Sequence, residues 1–294
     1  MQQAKPFIKW VGGKTQLLDQ IDALLPADFD SWENVTYIEP FVGGGAMLFH
    51  MLQTHKNISR AVINDINADL TMCYRVVKSA PNALVESLSE IQQQYYALES
   101  EDLRKEFFLK MRSEYNSKPA DEIRNVTLFF FLNRTCFNGL YRVNKSGAYN
   151  VPFGKYVSPK ICDADTIFAD SELLQRVEIL TGDFEETFSY ASGCTIFYFD
   201  PPYRPLSQTS SFNNYVKTDF DDDSQIRLKC FCDKIQNAGF RFMLSNSDCF
   251  GKNADRFFDD LYANYSIHRV FASRMVNANA EKRGKLTEIL VSNF

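Results

Sequence analysis

The sequence predicts an α/β fold with a mostly parallel sheet, an antiparallel edge strand and an inserted helical domain. Three observations carry this. Short strand-like runs recur near each end of the chain, helix-length segments separate the first several, and residues 68 to about 134 switch to helical periodicity. With 294 residues, 45% hydrophobic and 23% charged, the chain can bury one large core or two small ones without disulfides or metals.

The amino-terminal "FIKWVGGKTQLL" contains GGKT, but a phosphate loop needs glycine five positions before Gly13, where Ile8 stands. Nucleoside triphosphate binding is therefore not expected. Trp10 and Lys14 flank this double glycine, and no local pattern decides their role. Next, "YIEPFVGGGAMLFHML" runs strand, glycine-rich turn, helix. Gly43, Gly44 and Gly45 allow positive φ and let a ligand approach the free amides of a helix start, although such turns also serve plain strand-to-helix packing. "RAVINDI" is a second strand ending on Asp65, placed either to take the hydroxyls of a cofactor ribose or to cap the following helix.

From Ala68 to about Arg134, segments such as "LVESLSEIQQQYYALE" and "LRKEFFLKMRSEY" are helical, and "NKSGAYN" reads as a hairpin-like loop. This divides the chain into a discontinuous catalytic domain, 1–67 with 163–294, and a helical domain, 68–162. Strand-like runs resume with "VEILTGDF" and "CTIFYFD", then "FRFMLSNS", "SIHRVFA" and "LTEILVSNF", the last two close enough together for an antiparallel edge.

The run "TIFYFDPPYRP" ends a buried strand on Asp200 in a stiff turn, because Pro201 lacks an N–H and Pro202 biases Pro201 toward extended backbone. A carboxylate and a fixed carbonyl then stand side by side as acceptors for one –NH₂ group, and Tyr203 can stack on the flat molecule carrying it. A purine's exocyclic amine is a poor nucleophile because its lone pair is conjugated with the ring. Accepting both hydrogens draws the nitrogen toward tetrahedral geometry, and preorganised acceptors stabilise the charge that develops.

Net charge is −5, yet residues 134–160 carry five basic side chains (Arg134, Arg142, Lys145, Lys155, Lys160) and no acidic one. A second basic cluster, Arg269, Arg274, Lys282, Arg283 and Lys285, meets only Glu281. Such segments suit a polyanion or a solvated face. Seven cysteines without C-x-x-C spacing suit free thiols, and His50, His55 and His268 are scattered, so no metal is expected. No apolar run approaches the roughly 18 residues of a membrane span, and the amino terminus lacks a secretory pattern. A cytoplasmic chain with no membrane association is expected.

Taken in order, "FIKWVGGK", "EPFVGGGA", "INDIN", "FNGLYRVNKSGAYNVPFGKY", "GDFEE", "FDPPYRPLSQTSSF", "LSNS" and "RGKLTEILVSN" span nearly the whole chain. In this order they resemble the Dam-type DNA adenine N6-methyltransferases, and they are similar to GATC-specific methylases of restriction systems. The resemblance implies a Rossmann-like methyltransferase sheet, a helical DNA-recognition insertion and S-adenosylmethionine as cofactor. It implies cofactor contacts from Trp10, Lys14, Phe41, Gly43, Asp65, Asp183, Phe184 and Asp200, and a catalytic motif of Asp200, Pro201, Pro202 and Tyr203. For duplex DNA it implies that Lys9 and Arg142 read guanines, that Leu140 and Pro152 touch a central base pair, and that Phe137 or Asn138 fills space opened in the duplex. Lys145, Lys155 and Lys160 are implied as phosphate contacts, with Arg134 from the same basic run. The resemblance is compatible with functional pairing with a restriction endonuclease and leaves a restriction system, a phage or a housekeeping pathway open, and the chain is expected to be a monomer. One departure is the acidic "DFDDD" at 219–223, unexpected in a loop closing over DNA. Methylation of RNA or of a glutamine amide, and a non-catalytic nucleic-acid-binding module, are the rival readings.

Overall fold

The computed structural model describes residues 3–14, 16–204, 220–250, 255–272 and 286–294. All seven strand-like runs form strands: β1 (Val35–Glu39), β2 (Ile58–Asp65), β3 (Val177–Thr181), β4 (Thr195–Phe199), β5 (Arg241–Ser247), β6 (Ser266–Ala272) and β7 (Leu286–Ser292). The described helices are α1 (Leu18–Asp22), α2 (Ala46–Thr54), α3 (Ala68–Ser79), α4 (Pro81–Tyr96), α5 (Glu101–Asn116), α6 (Glu122–Thr135), α7 (Ala164–Leu174), α8 (Asp222–Asn237) and α9 (Phe257–Leu261).

The chain divides into two compact units. The first comprises Met1–Gly13, Gly43–Thr54 and Asn67–Thr181, and the second Lys14–Val42, His55–Ile66 and Gly182–Phe294. The first is mainly helical. Side-chain caps start α3, α5 and α6: Asn67 accepts from the Asp69 and Leu70 amides, Ser100 from Leu103, and Asp121 from Ile123 and Arg124. Each cap stabilises by about 1 kcal/mol. Pro81 occupies the first turn of α4, where its missing N–H costs nothing. Aromatic packing builds the core, with Phe7 stacked on Phe130 at 5.4 Å and Phe131 meeting Tyr95 and Phe107 edge-on. After α6 the chain forms the expected hairpin, with antiparallel bridges Cys136–Phe153 and Val143–Tyr149. Gly147, at φ +77°, closes its turn.

The second unit holds six strands in the order β2-β1-β4-β5-β7-β6. β1 pairs parallel with β2 and β4, and β4 with β5. Every residue of β1 and β4 is buried, as central parallel strands require. The antiparallel pair lies at one edge, but β7 inserts between β5 and β6, so β6 is outermost. The chain leaves β1 toward β2 on one side and returns as β4 on the other. The carboxyl ends of β1 and β4 thus flank the switch point where open α/β sheets bind ligands.

All seven cysteines are free thiols. The histidines, scattered in sequence, are not all remote from carboxylates: buried His55 places Nδ1 2.6 Å from Asp30 and Nε2 2.7 Å from Asp22. Among the described residues, no helix is long and apolar enough to cross a membrane.

Candidate active site

β4 delivers Asp200 to the switch point in the second unit. Its Oδ1 receives two bonds, from the Lys14 ammonium at 2.8 Å and the Ser245 hydroxyl at 3.0 Å. About 20% of the Asp200 side chain stays accessible, against 6% for Lys14. Burial raises the Asp200 carboxyl above its usual range, while Lys14 and Ser245 pull it back. One oxygen is thereby anchored. Among the described residues nothing donates to Oδ2 or to the Pro201 carbonyl, the two acceptors anticipated from the sequence.

The turn is stiffened from behind. The Gln225 amide donates to the Pro202 carbonyl at 3.1 Å, and Asn246 donates to Gln225 at 3.1 Å; both side chains are buried. The Tyr203 hydroxyl donates to Glu288 Oε2 at 2.6 Å, and Lys14 Nζ lies 4.3 Å from the Tyr203 ring centroid. At the end of β1, buried Glu39 accepts from the Tyr37 hydroxyl at 2.9 Å, and burial pushes its carboxyl well above the usual range. Two acids of the acidic segment have partners in the structure. Asp221 caps α8 through the Ser224 amide, and Asp222 takes two bonds from Arg204, which also reaches Asp255. Asp219 lies outside the described residues.

Phe41, Asp65, Asp183 and Phe184 gather in the same unit. Asn64 donates to the Pro40 carbonyl at 3.1 Å and the Gly182 carbonyl at 3.0 Å, tying two of their loops together. The Gly182 amide donates to the Asp65 carbonyl, and the Phe41 and Phe184 rings stand 5.3 Å apart. The following helix, α3, takes its cap from Asn67, so that duty does not fall to Asp65. Aromatic rings that can stack on a base and carboxylates that accept from ribose hydroxyls match an adenosyl group in kind. Phe220 packs on both rings. Arg227 binds Asp183 and Glu185 and covers Phe184 at 4.3 Å.

In the first unit, Trp10 lies against the glycine turn. A Cβ on Gly43 would come within 3.1 Å of its indole, and one on Gly45 within 2.5 Å of the Tyr74 hydroxyl, which donates to the Gly43 carbonyl. These glycines, with φ of +49° and +77°, therefore serve packing whatever else they hold. Tyr141 stacks on Trp10 at 5.5 Å.

The hairpin exposes Phe137 (53%), Leu140, Val143 and Pro152 beside Asn138, Arg142 and Lys145, an apolar and basic surface. Arg142 leans on Asn150 through two bonds. Buried Asn133 joins this surface to Lys9: it accepts from the Lys9 amide at 2.8 Å and donates to the Lys9 and Gly139 carbonyls at 2.8 and 3.0 Å. Three basic residues are engaged elsewhere. Arg134 donates to the Phe7 carbonyl, and burial lowers its pKa; Lys155 pairs with Glu101, and Lys160 with Asp163. The two exposed lysine pairs are weak enough to exchange for phosphate. Of the carboxyl-terminal basic cluster only Arg269 falls among the described residues, and it binds Asp248 and Asp259. Sequence reasoning missed Glu288, Ser245, Asn133 and Arg227, although Glu288 and Ser245 lie within "LTEILVSN" and "LSNS", motifs that carry the resemblance.

Such a sheet, with a rigid Asp-Pro-Pro-Tyr turn at its switch point, defines an α/β protein with a ligand-binding position at the carboxyl ends of its parallel strands. Residues 10–276 match the D12 class N6 adenine-specific DNA methyltransferases, and the chain belongs to that family. It is 47% identical to Type II methyltransferase M.MjaIII of Methanocaldococcus jannaschii, over 99% of this chain and 100% of that protein. It is 37% identical to Type II methyltransferase M1.LlaDCHI of Lactococcus lactis subsp. cremoris, over 99% and 95%. With the DNA adenine methylase of Escherichia coli strain K12 it shares 30% identity, again over 99% and 95%. The chain is thus an adenine-specific DNA methyltransferase, and its family implies S-adenosylmethionine as methyl donor.

Proposed function

We propose that the chain methylates N6 of adenine in duplex GATC, after turning the target base out of the helix. The observation that carries this reading is that, among the described residues, nothing donates to Asp200 Oδ2 or to the Pro201 carbonyl, two acceptors in the turn that leads into Tyr203. A base inside a duplex cannot reach such a turn, so flipping is required, and stacking on Tyr203 with two amino hydrogen bonds offsets its cost of a few kcal/mol. Similarity to a DNA adenine methylase supports GATC, and similarity to two Type II methyltransferases supports pairing with a restriction endonuclease.

S-adenosylmethionine supplies, when bound, a methyl carbon made electrophilic by its positive sulfur. Phe41, Asp65, Asp183 and Phe184 would hold its adenosyl part. The two acceptors take both amino hydrogens, release the nitrogen lone pair from the ring and orient it. Lys14 and Ser245 prevent Asp200 from rotating away. Its raised basicity makes Oδ2 a stronger acceptor and the nearest site for the proton the nitrogen must lose. Lys9 and Arg142 are assigned to guanine edges, and Lys145 and Lys155 to phosphates. Digestion of treated plasmid with endonucleases that differ in tolerance of methylated GATC tests this. Unchanged cleavage by the methylation-sensitive enzyme would reject the site assignment, and methyl incorporation into other DNA or total RNA would redirect it.

A further inference from the structure

We infer that Glu288 is a positioning residue that fixes the Tyr203 ring so that one face alone remains for the target base. The inference rests on the reading of Tyr203 as the platform for a flipped adenine. Glu288 stands on β7 in register with Ser247 of β5 and Val270 of β6. Across that register the two polar residues grip consecutive residues of the catalytic turn: Glu288 accepts from the Tyr203 hydroxyl at 2.6 Å, and the Ser247 hydroxyl donates to the Arg204 carbonyl at 2.9 Å.

The geometry restricts the ring twice. The phenol bond fixes the far end, while the backbone held by Gln225 and Ser247 fixes the near end. Lys14 then covers one face at 4.3 Å from the centroid, with its ammonium 2.8 Å from Asp200 and 3.9 Å from Glu288. A base must use the opposite face. Among the described residues Glu288 contacts the Tyr203 hydroxyl and Lys14, and it acts through them. A glutamine at 288 keeps an acceptor for the phenol, whereas alanine keeps none.

The test uses the full chain and two GATC duplexes, one natural and one with 2-aminopurine at the target. Single-turnover methylation, KM for the methyl donor and 2-aminopurine fluorescence are measured for wild type, Glu288→Ala, Glu288→Gln, Tyr203→Phe and the double variant Tyr203→Phe/Glu288→Ala. Losing one hydrogen bond to a charged group at the platform predicts about tenfold to hundredfold slower methylation in Glu288→Ala and in Tyr203→Phe, with donor KM within about threefold. The bound fluorescence signal should change in both. Glu288→Gln should recover most of the rate, and the double variant should be no slower than Glu288→Ala alone.

A Glu288→Ala rate within about twofold of wild type, a glutamine variant as slow as alanine, or a double loss equal to the product of the single losses overturns the inference. If Glu288→Ala does not fold, a Tyr203→Phe rate equal to wild type overturns it instead. Normal wild-type methylation beside an unaffected Glu288→Ala sinks this inference alone. A wild-type chain inert on duplex DNA sinks the underlying reading and this inference with it.

Discussion

Replacing Asp200 with asparagine keeps the shape of the side chain and removes one function of it. In the native site Oδ1 is committed to Lys14 at 2.8 Å and Ser245 at 3.0 Å, leaving Oδ2 to face the amine. Asparagine has one oxygen and one NH₂ to distribute over those places. With its oxygen toward Lys14 and Ser245, its NH₂ points donor-to-donor at the base; turned over, the NH₂ faces the ammonium. One preorganised acceptor is lost either way, at a cost of about 3–4 kcal/mol in the transition state. At 1.36 kcal/mol per decade that slows the chemical step by about 10² to 10³. The assay is single-turnover transfer of labelled methyl at saturating donor and duplex, with both binding constants measured separately and expected to move little. Wild type should lose rate as pH falls through the Asp200 pKa, which burial raises above the ordinary carboxylate range, and the asparagine variant should lack that acid limb. A variant within about tenfold of the wild-type rate would refute the acceptor role.

Arg142→Ala should relax discrimination at one base by roughly 1–3 kcal/mol, whereas Lys155→Ala should weaken binding to every sequence and reduce its salt dependence; strict specificity without Arg142 would refute its assignment. Asp170 in α7 tests the pH dependence of stability. Burial pushes its carboxyl from 3.8 to about 8 against a weaker opposing bond from the Lys5 amide, so the folded chain keeps a proton that the unfolded chain releases. Stability should therefore fall as pH rises from about 4 to about 8, and Asp170→Asn should exceed wild type by a few kcal/mol at the upper end, with the gap closing toward the lower. Equal urea midpoints at the alkaline end would contradict this.

Strand positions and the helices from Ala68 onward were legible because they rest on local signals: apolar runs bounded by turns, and a period that changes at Ala68. The stiffness of the Asp-Pro-Pro-Tyr turn was legible for a related reason, since two consecutive prolines restrict backbone geometry locally. Partners chosen across the chain were not. Lys14, Asp200 and Glu288 lie far apart in the sequence, and no periodicity announces that they meet. Charge carried the least information about role. Arg134, Lys155 and Lys160 look free in the sequence, yet each has a partner, and the acids at 221 and 222 cap a helix and bind Arg204. The caps show the same limit: Asp65 and Asn67 are both plausible by type, and only the path of the backbone selects Asn67.

The placement of β7 has a consequence for biosynthesis. β6 leaves the ribosome before its neighbour exists, because β7, later in sequence, pairs between it and β5. Until then β6 and the flank of β5 are two unsatisfied edges, each able to recruit a foreign strand. Closing that gap also brings in the carboxylate that accepts from the Tyr203 hydroxyl, so the nascent chain pairs these two edges at the same moment that the Asp-Pro-Pro-Tyr turn gains this partner.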